Sequence, residues 1–189
     1  MFSIPIDLCL TRAASRKVFG KEVIPASMSE YIAIALLLMR ERYVMGEKSF
    51  WWPYIQILPE TDEVNPSFTW SDDELALLEG SPGIKATRSM QAKLRNEYAS
   101  LQDGIFKAHP DVFTGVDSPG AASAAAAGPN DGDEDQESKE PAGAFCFAHF
   151  EWAFTMLFSR AIRLDKLTGG PAVSLLRLSA YLLSSIALR

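Results

Sequence analysis

Residues 32–59 read IAIALLLMRERYVMGEKSFWWPYIQILP, and the fold expectation turns on how this stretch is divided. Its first eight residues, Ile32 through Met39, are apolar without interruption. A helix that is apolar on every side is buried all round. Arg40, Glu41 and Arg42 then break the run, and eight apolar residues fall far short of the ~20 that span a bilayer. Phe50, Trp51, Trp52, Pro53 and Tyr54 follow Gly46 and Ser49. Proline donates no amide hydrogen bond and clashes with the preceding turn, so residues 50–54 are expected to be a rigid corner rather than a helix interior. Its rings serve either as core anchors or as a wall facing a ligand, because each buries ~150–250 Å².

Working outward, Ser27 and Glu30 have capping-box spacing and predict a helix over residues 28–44. Upstream, residues 2–10 carry Ile4, Ile6 and Leu8 around Pro5 and predict a short extended segment at a sheet edge. Residues 11–26 predict a loop with one helical turn at 12–18, punctuated by Gly20 and Pro25. Downstream, Ser71 and Glu74 repeat the capping-box spacing, with Trp70 at the staple position. They predict a helix over 72–79 that stops at Gly80. A longer helix is expected over 84–108, ended by Pro110. Met90, Leu94, Tyr98, Leu101 and Ile105 form its apolar stripe.

The chain has 189 residues, 48% of them apolar, and a formal net charge of −6. Residues 115–143 hold Asp117, Asp131, Asp133, Glu134, Asp135, Glu137 and Glu140 against Lys139, so the whole net charge lies there and the remainder is neutral. That balance excludes a general nucleic-acid surface. The same segment holds five glycines and three prolines, no aromatic residue and one β-branched residue, Val116. Such a composition cannot bury enough surface to offset its entropy, and predicts a disordered acidic insertion, or alternatively an acidic interaction tail. Cys9 and Cys146 are far apart and suit reduced thiols inside a cell. Two histidines, His109 and His149, and no paired cysteine spacing leave a metal site without support.

Residues 144–163 read AFCFAHFEWAFTMLFSRAIR. Phe147, Phe150, Phe154, Leu157 and Ala161 keep the helical period, with Trp152 and Phe158 beside them. Arg160 and Arg163 fall at the end of this helix, where a cation favours the dipole. Arg160 admits a second role, a guanidinium aimed at a carboxylate or bound cofactor, since its planar fork suits bidentate acceptors. Residues 171–189 carry Arg177 and four serines among apolar residues. A central arginine costs ~2.5–3.5 kcal/mol on membrane-insertion scales, so an apolar surface helix is expected there rather than a membrane anchor.

RERYVMGEKSFWWPYIQILP (40–59), TWSDDELALLEGS (69–81), LRNEYASL (94–101) and FEWAFTMLFSRAI (150–162), in that order, resemble the SET-domain methyltransferases related to the Rubisco large-subunit lysine methyltransferase. Relatives of that family include protein-lysine methyltransferases and the actin histidine methyltransferase. The resemblance covers about residues 3–165 apart from the acidic insertion, with IPIDLCLT (4–11) similar to the strand and loop after the family's first cofactor segment. It implies a mainly α chain: a helical insert of a split SET domain with short flanking β segments and a disordered acidic loop. The implied divisions are 1–26, the end of the N-terminal SET segment; 27–114, the helical insert; 115–143, the acidic insertion; 144–166, the start of the C-terminal SET segment; and 167–189, a divergent apolar tail.

The resemblance also implies an S-adenosylmethionine-dependent protein-lysine N-methyltransferase inside the cell, plastid or cytoplasm, with a lysine-bearing protein as substrate. The family's Ser-Arg pair matches Ser159 and Arg160, which makes Arg160 the cofactor-binding residue through the methionyl carboxylate. The pattern departs at three places. No Gly-x-Gly segment precedes IPIDL, no Asn-His pair follows the Ser-Arg helix, and Tyr181 lacks the surroundings of the family's catalytic tyrosine. No catalytic residue is therefore assigned. These departures lead to the expectation of an incomplete chain, weakly active or inactive. The alternative is a non-catalytic helical interaction module.

Overall fold

A computed structural model describes residues 5–117, 143–163 and 173–175. Its described part is dominated by helices. It divides into two compact units, one formed by residues 1–59 with 152–189, the other by residues 60–151.

The first unit opens with a tight 3-10 turn, Ile6–Leu8, entered from Pro5. The extended segment expected over 2–10 is thus corrected within the described residues. Proline fixes its own φ near the helical value, which suits the entry to a turn as well as a strand edge. Helix α1, Arg12–Phe19, stands where one helical turn was expected and takes up half of the expected loop. Thr11 Oγ1 accepts from the Ala14 amide at 3.1 Å, and Gly20 ends the helix with φ 97°. Thr11 supplies an orphan amide with an acceptor, a cap signal that the single-turn expectation passed over.

Helix α2, Glu30–Met39, follows, and Ile32 through Met39 are all buried, as their unbroken apolarity predicts. Its N-cap is Ser29, without a side-chain bond, so the capping box expected from Ser27 is corrected. Glu30 instead meets Arg12 at 3.5 Å, tying α2 to α1. The helix widens into a π-helical turn, Arg40–Met45. There Glu41 is buried, its carboxylate accepting from Ser49 Oγ at 2.7 Å and from the adjacent Arg40 guanidinium. A buried carboxylate persists only when paired and hydrogen-bonded.

Residues 50–54 are not a corner throughout. Helix α3, Trp52–Ile55, is one turn, and Pro53 stands in its first turn, where no amide donor is needed. The anchoring role expected of these rings is also corrected. Phe50 is 66% exposed and Trp51 and Trp52 are half-buried, whereas Ile55 and Leu58 are buried. The aromatic anchor of this unit is Trp152, with Tyr43 edge-on to it at 5.6 Å, the Arg42 guanidinium 4.1 Å from its ring centre, and its indole N–H donating to the Pro59 carbonyl at 2.9 Å.

In the second unit, α4 (Thr61–Val64) precedes α5 (Asp72–Ala76). The Ser71–Glu74 capping box forms reciprocally, Ser71 N donating to Glu74 Oε2 at 2.8 Å and Glu74 N to Ser71 Oγ at 3.3 Å. Helix α5 is shorter than expected, and a turn carries the chain to Gly80 at φ 82°. Helix α6, Pro82–Leu101, buries Leu94, Tyr98 and Leu101. A π-helical turn, Gln102–Phe106, then takes over. Such a turn carries one residue more than an α turn, so the apolar stripe slips by one position. Phe106 is buried and Ile105, the residue expected there, is only half-buried.

Helix α7, the last among the described residues, spans Phe147–Arg160 and ends three residues short of the helix expected to reach 163. Ala161–Arg163 forms strand β1, which pairs antiparallel with β2, Val173–Leu175, in the register Ala161↔Leu175 and Arg163↔Val173. Arg163 thus stands in a strand rather than at a helix end, and the described part of the expected tail helix is extended. Residues 118–142, the remainder of the tail and Tyr181 lie outside the described residues. The backbones of Gly115 and Gly143, the two ends of the acidic stretch, press directly on each other, and neither position has room for a Cβ. Asp117, which composition grouped with the insertion, belongs to the fold: its backbone amide meets Tyr98 Oη at 3.4 Å and its carboxylate accepts from the Phe147 amide at 2.6 Å.

Among the described residues no helix is long and apolar enough to cross a membrane, and no group of three or more His, Cys, Asp or Glu stands together as a metal cluster.

Candidate functional site

Arg160 is the last residue of α7, and its placement follows from the residues just before it. Ser159 Oγ donates back to the Thr155 carbonyl at 2.8 Å and accepts from Arg160 Nη1. Nη1 also lies 3.8 Å from Met156 Sδ. The guanidinium is therefore folded along its own helix and half-buried, rather than reaching into solvent. Its Nε is buried and finds no hydrogen-bond partner. An unsatisfied buried donor costs about 1–3 kcal/mol, more when the group is charged, and the Nε atoms of Arg16 and Arg95 are placed in the same way.

Tyr54 carries another such atom in the same unit, beside those of Ser15 and Arg16. The Tyr54 ring is half-buried on α3, while its hydroxyl oxygen is fully buried and unpartnered. Burial pushes this phenol up to about 12, and the positive charge of Arg160 works in the opposite direction. The hydroxyl therefore stays protonated near neutral pH, a donor within the electrostatic reach of the guanidinium. The local sequence fixes Tyr54 from both sides. Ser49, held by Glu41, accepts from the Trp51 amide at 3.1 Å, and buried Ile55 pins the other end of α3.

Arg160 was nominated from sequence through the family's Ser-Arg pair. Tyr54 was not: it stood inside the aromatic run as one bulky ring among several, and only the burial of its hydroxyl sets it apart. The remaining candidates go elsewhere. His149 Nδ1 sits 3.2 Å from the Ala144 carbonyl, Cys9 is buried with its Sγ donating to the Pro5 carbonyl at 3.6 Å, and Cys146 is buried. A shallow depression lined by Ser89, Lys93, Asn96 and Glu97 is walled by α6 alone.

The second unit carries a titratable group of its own. Burial raises the Glu151 carboxyl to about 7, against the opposing influence of Arg95. A carboxyl whose folded pKa exceeds its unfolded value gives most stability when protonated. Its contribution is full below the ordinary glutamate range of about 4.3 and is lost as pH climbs through about 7. The expected result is that Glu151→Gln stabilises the chain by about 1–3 kcal/mol at pH 8 and leaves it unchanged at pH 4. Urea titrations at the two pH values check it, and an equal effect at both would exclude the linkage.

A carboxylate such as the one S-adenosylmethionine carries would give the orphan Nε of Arg160 the acceptor it lacks.

Comparison with known proteins points to one enzyme class: the similar curated proteins are lysine N-methyltransferases. The chloroplastic [fructose-bisphosphate aldolase]-lysine N-methyltransferase of Arabidopsis thaliana is 30% identical over 87 residues, which are 46% of this chain and 17% of that protein. The chloroplastic ribulose-1,5 bisphosphate carboxylase/oxygenase large subunit N-methyltransferase of Pisum sativum is 32% identical over 88 residues, 47% of this chain and 17% of that protein. N-lysine methyltransferase SETD6 of Homo sapiens is 30% identical over 89 residues, 47% of this chain and 18% of that protein. The matches support the SET-domain methyltransferase family that the sequence resembles, and the chain spans less than a fifth of the length of these three relatives. No family model matches the chain, and no solved structure matches it.

Proposed function

We propose that the chain serves S-adenosylmethionine-dependent methylation of a protein lysine, with Arg160 holding the methionyl carboxylate. The single observation that carries this reading is the buried, unpartnered Nε of Arg160, on the residue that the family resemblance selects independently. Bound cofactor supplies an electrophilic methyl group on sulfur, to be taken by a deprotonated lysine amine. Arg160 contributes charge and orientation. Its Nη1 is engaged by Met156 and Ser159, while its buried Nε has no partner. A fixed guanidinium binds a carboxylate with less ordering cost than a free one. Positioning of this kind is a major source of acceleration in transfer reactions. A lysine-bearing protein as substrate and an intracellular setting belong to the same proposal.

Titration calorimetry with S-adenosylmethionine tests it. The chain is expected to bind, and Arg160→Ala is expected to weaken binding by roughly tenfold or more, as loss of a charge-assisted contact does. Absence of heat from a folded sample would overturn the reading and leave a non-catalytic helical module.

A further inference from the structure

We propose that Ser159 is a positioning residue for Arg160, its hydroxyl fixing the direction of the guanidinium before any ligand arrives. The inference rests on the cofactor reading above. It gives a role to the serine of the Ser-Arg pair, which neither the resemblance nor the similar proteins' names supply.

Successive residues on a helix point about 100° apart, so side chains at i and i+1 do not face each other. Arg160 nevertheless turns toward the serine before it: Nη1 lies 2.5 Å from Ser159 Oγ. The same nitrogen lies 3.8 Å from Met156 Sδ, one turn back on its own face. One contact runs along the helix and the other across it, so together they restrict a group that either alone would leave free to swing. Ser159 is the stronger partner, because a hydroxyl oxygen accepts well and a thioether sulfur weakly. The helix sets the orientation of that hydroxyl. Ser159 Oγ lies 2.8 Å from the Thr155 carbonyl and 3.2 Å from the Met156 carbonyl. A carbonyl cannot donate, so the hydroxyl hydrogen goes to this pair and the oxygen's lone pairs are left for Arg160. Thr155 and Met156 are themselves buried, which makes the frame behind the serine rigid. Ser159 is exposed and adds nothing to the core.

A ligand carboxylate that meets a freely rotating guanidinium must order it on binding, and one ordered in advance avoids that loss. Ser159→Ala tests this on the full chain. Alanine is the better helix former, so the unliganded variant is expected to resist urea as well as the parent. Nitrogen-15 relaxation of the Arg160 Nε–H reads the positioning directly, with restricted motion expected in the parent and faster motion in Ser159→Ala. Calorimetry then compares S-adenosylmethionine with 5′-methylthioadenosine, which lacks the amino-acid carboxylate. Ser159→Ala is expected to weaken S-adenosylmethionine binding roughly three- to tenfold and to leave methylthioadenosine binding unchanged. Ser159→Thr is expected to restore both the restricted motion and the affinity, because a threonine hydroxyl reaches the same carbonyls from a helix.

Equal mobility of the Arg160 Nε–H in the parent and in Ser159→Ala would end the role of Ser159. Ser159→Ala binding S-adenosylmethionine as tightly as the parent, while Arg160→Ala binds weakly, would end it too and leave the cofactor reading standing. Equal weakening toward both ligands, or no recovery in Ser159→Thr, would mean that the variant disturbs the helix end rather than one acceptor, and would refute the inference. A parent chain that binds neither ligand would remove the cofactor reading and this inference together.

Discussion

Replacing Trp152 with alanine lowers the unfolding free energy by about 3–5 kcal/mol, the range for removing a large buried aromatic side chain. Three features put Trp152 at the upper end. Its side chain is 2% exposed, so truncation leaves a cavity rather than a dent. Its indole N–H donates to the Pro59 carbonyl at 2.9 Å, and that acceptor loses its partner. The Arg42 guanidinium stands 4.1 Å from its ring centre and Tyr43 meets it edge-on, so a desolvated cation–π contact of about 2 kcal/mol goes as well. Phe50→Ala is the matched control. It removes a ring of similar character from a site that is 66% exposed and is expected to change stability by within about 0.5 kcal/mol. Urea denaturation of both variants decides the matter. Equal losses would mean that residues 50–54 carry the core after all.

Tyr98→Ala is expected to cost about 3–5 kcal/mol in the other unit, and Tyr98→Phe about 1–3 kcal/mol. Tyr98 is fully buried, and its ring lies 5.3 Å from Phe147 and 5.5 Å from Phe150. Its hydroxyl donates to the Phe145 carbonyl at 2.9 Å and stands 3.4 Å from the Asp117 carboxylate. The phenylalanine variant keeps the ring contacts and strands the polar ones, so the difference between the two variants separates packing from hydrogen bonding. Asp117 accepts from the Phe147 amide at the start of α7, where orphan N–H groups and the positive end of the dipole favour an acid. Tyr98 and Asp117 therefore act as one latch, across the ends of the acidic stretch. A double-mutant cycle with Asp117→Ala is expected to give a coupling of about 0.5–3 kcal/mol. Strict additivity would show that the two side chains work independently.

The site divides in the same way as the fold. Arg160 could be nominated from sequence, because the family's Ser-Arg pair is a local pattern that Ser159 and Arg160 match. Ser159 returning its hydroxyl to the Thr155 carbonyl is local too. Tyr54 could not, because what distinguishes it is the absence of a partner for its hydroxyl, and an absence depends on every group packed nearby. Glu151 is similar: nothing in FEWAF marks its carboxylate as raised, since the cause is burial.

Sequence alone determined the buried helix at 32–39, the Ser71–Glu74 box and the apolar stripe of α6 from Leu94 to Leu101. Each rests on interactions within one or two turns, where side-chain spacing dictates the outcome. Tertiary structure decided the rest. It made Trp152 the anchor in place of Phe50, because burial is settled by what arrives from distant parts of the chain. It moved the buried position from Ile105 to Phe106, because a π turn alters the period that sequence arithmetic assumes. It also drew Asp117 out of an acidic segment and into a helix cap, since a carboxylate goes wherever amide donors lack partners.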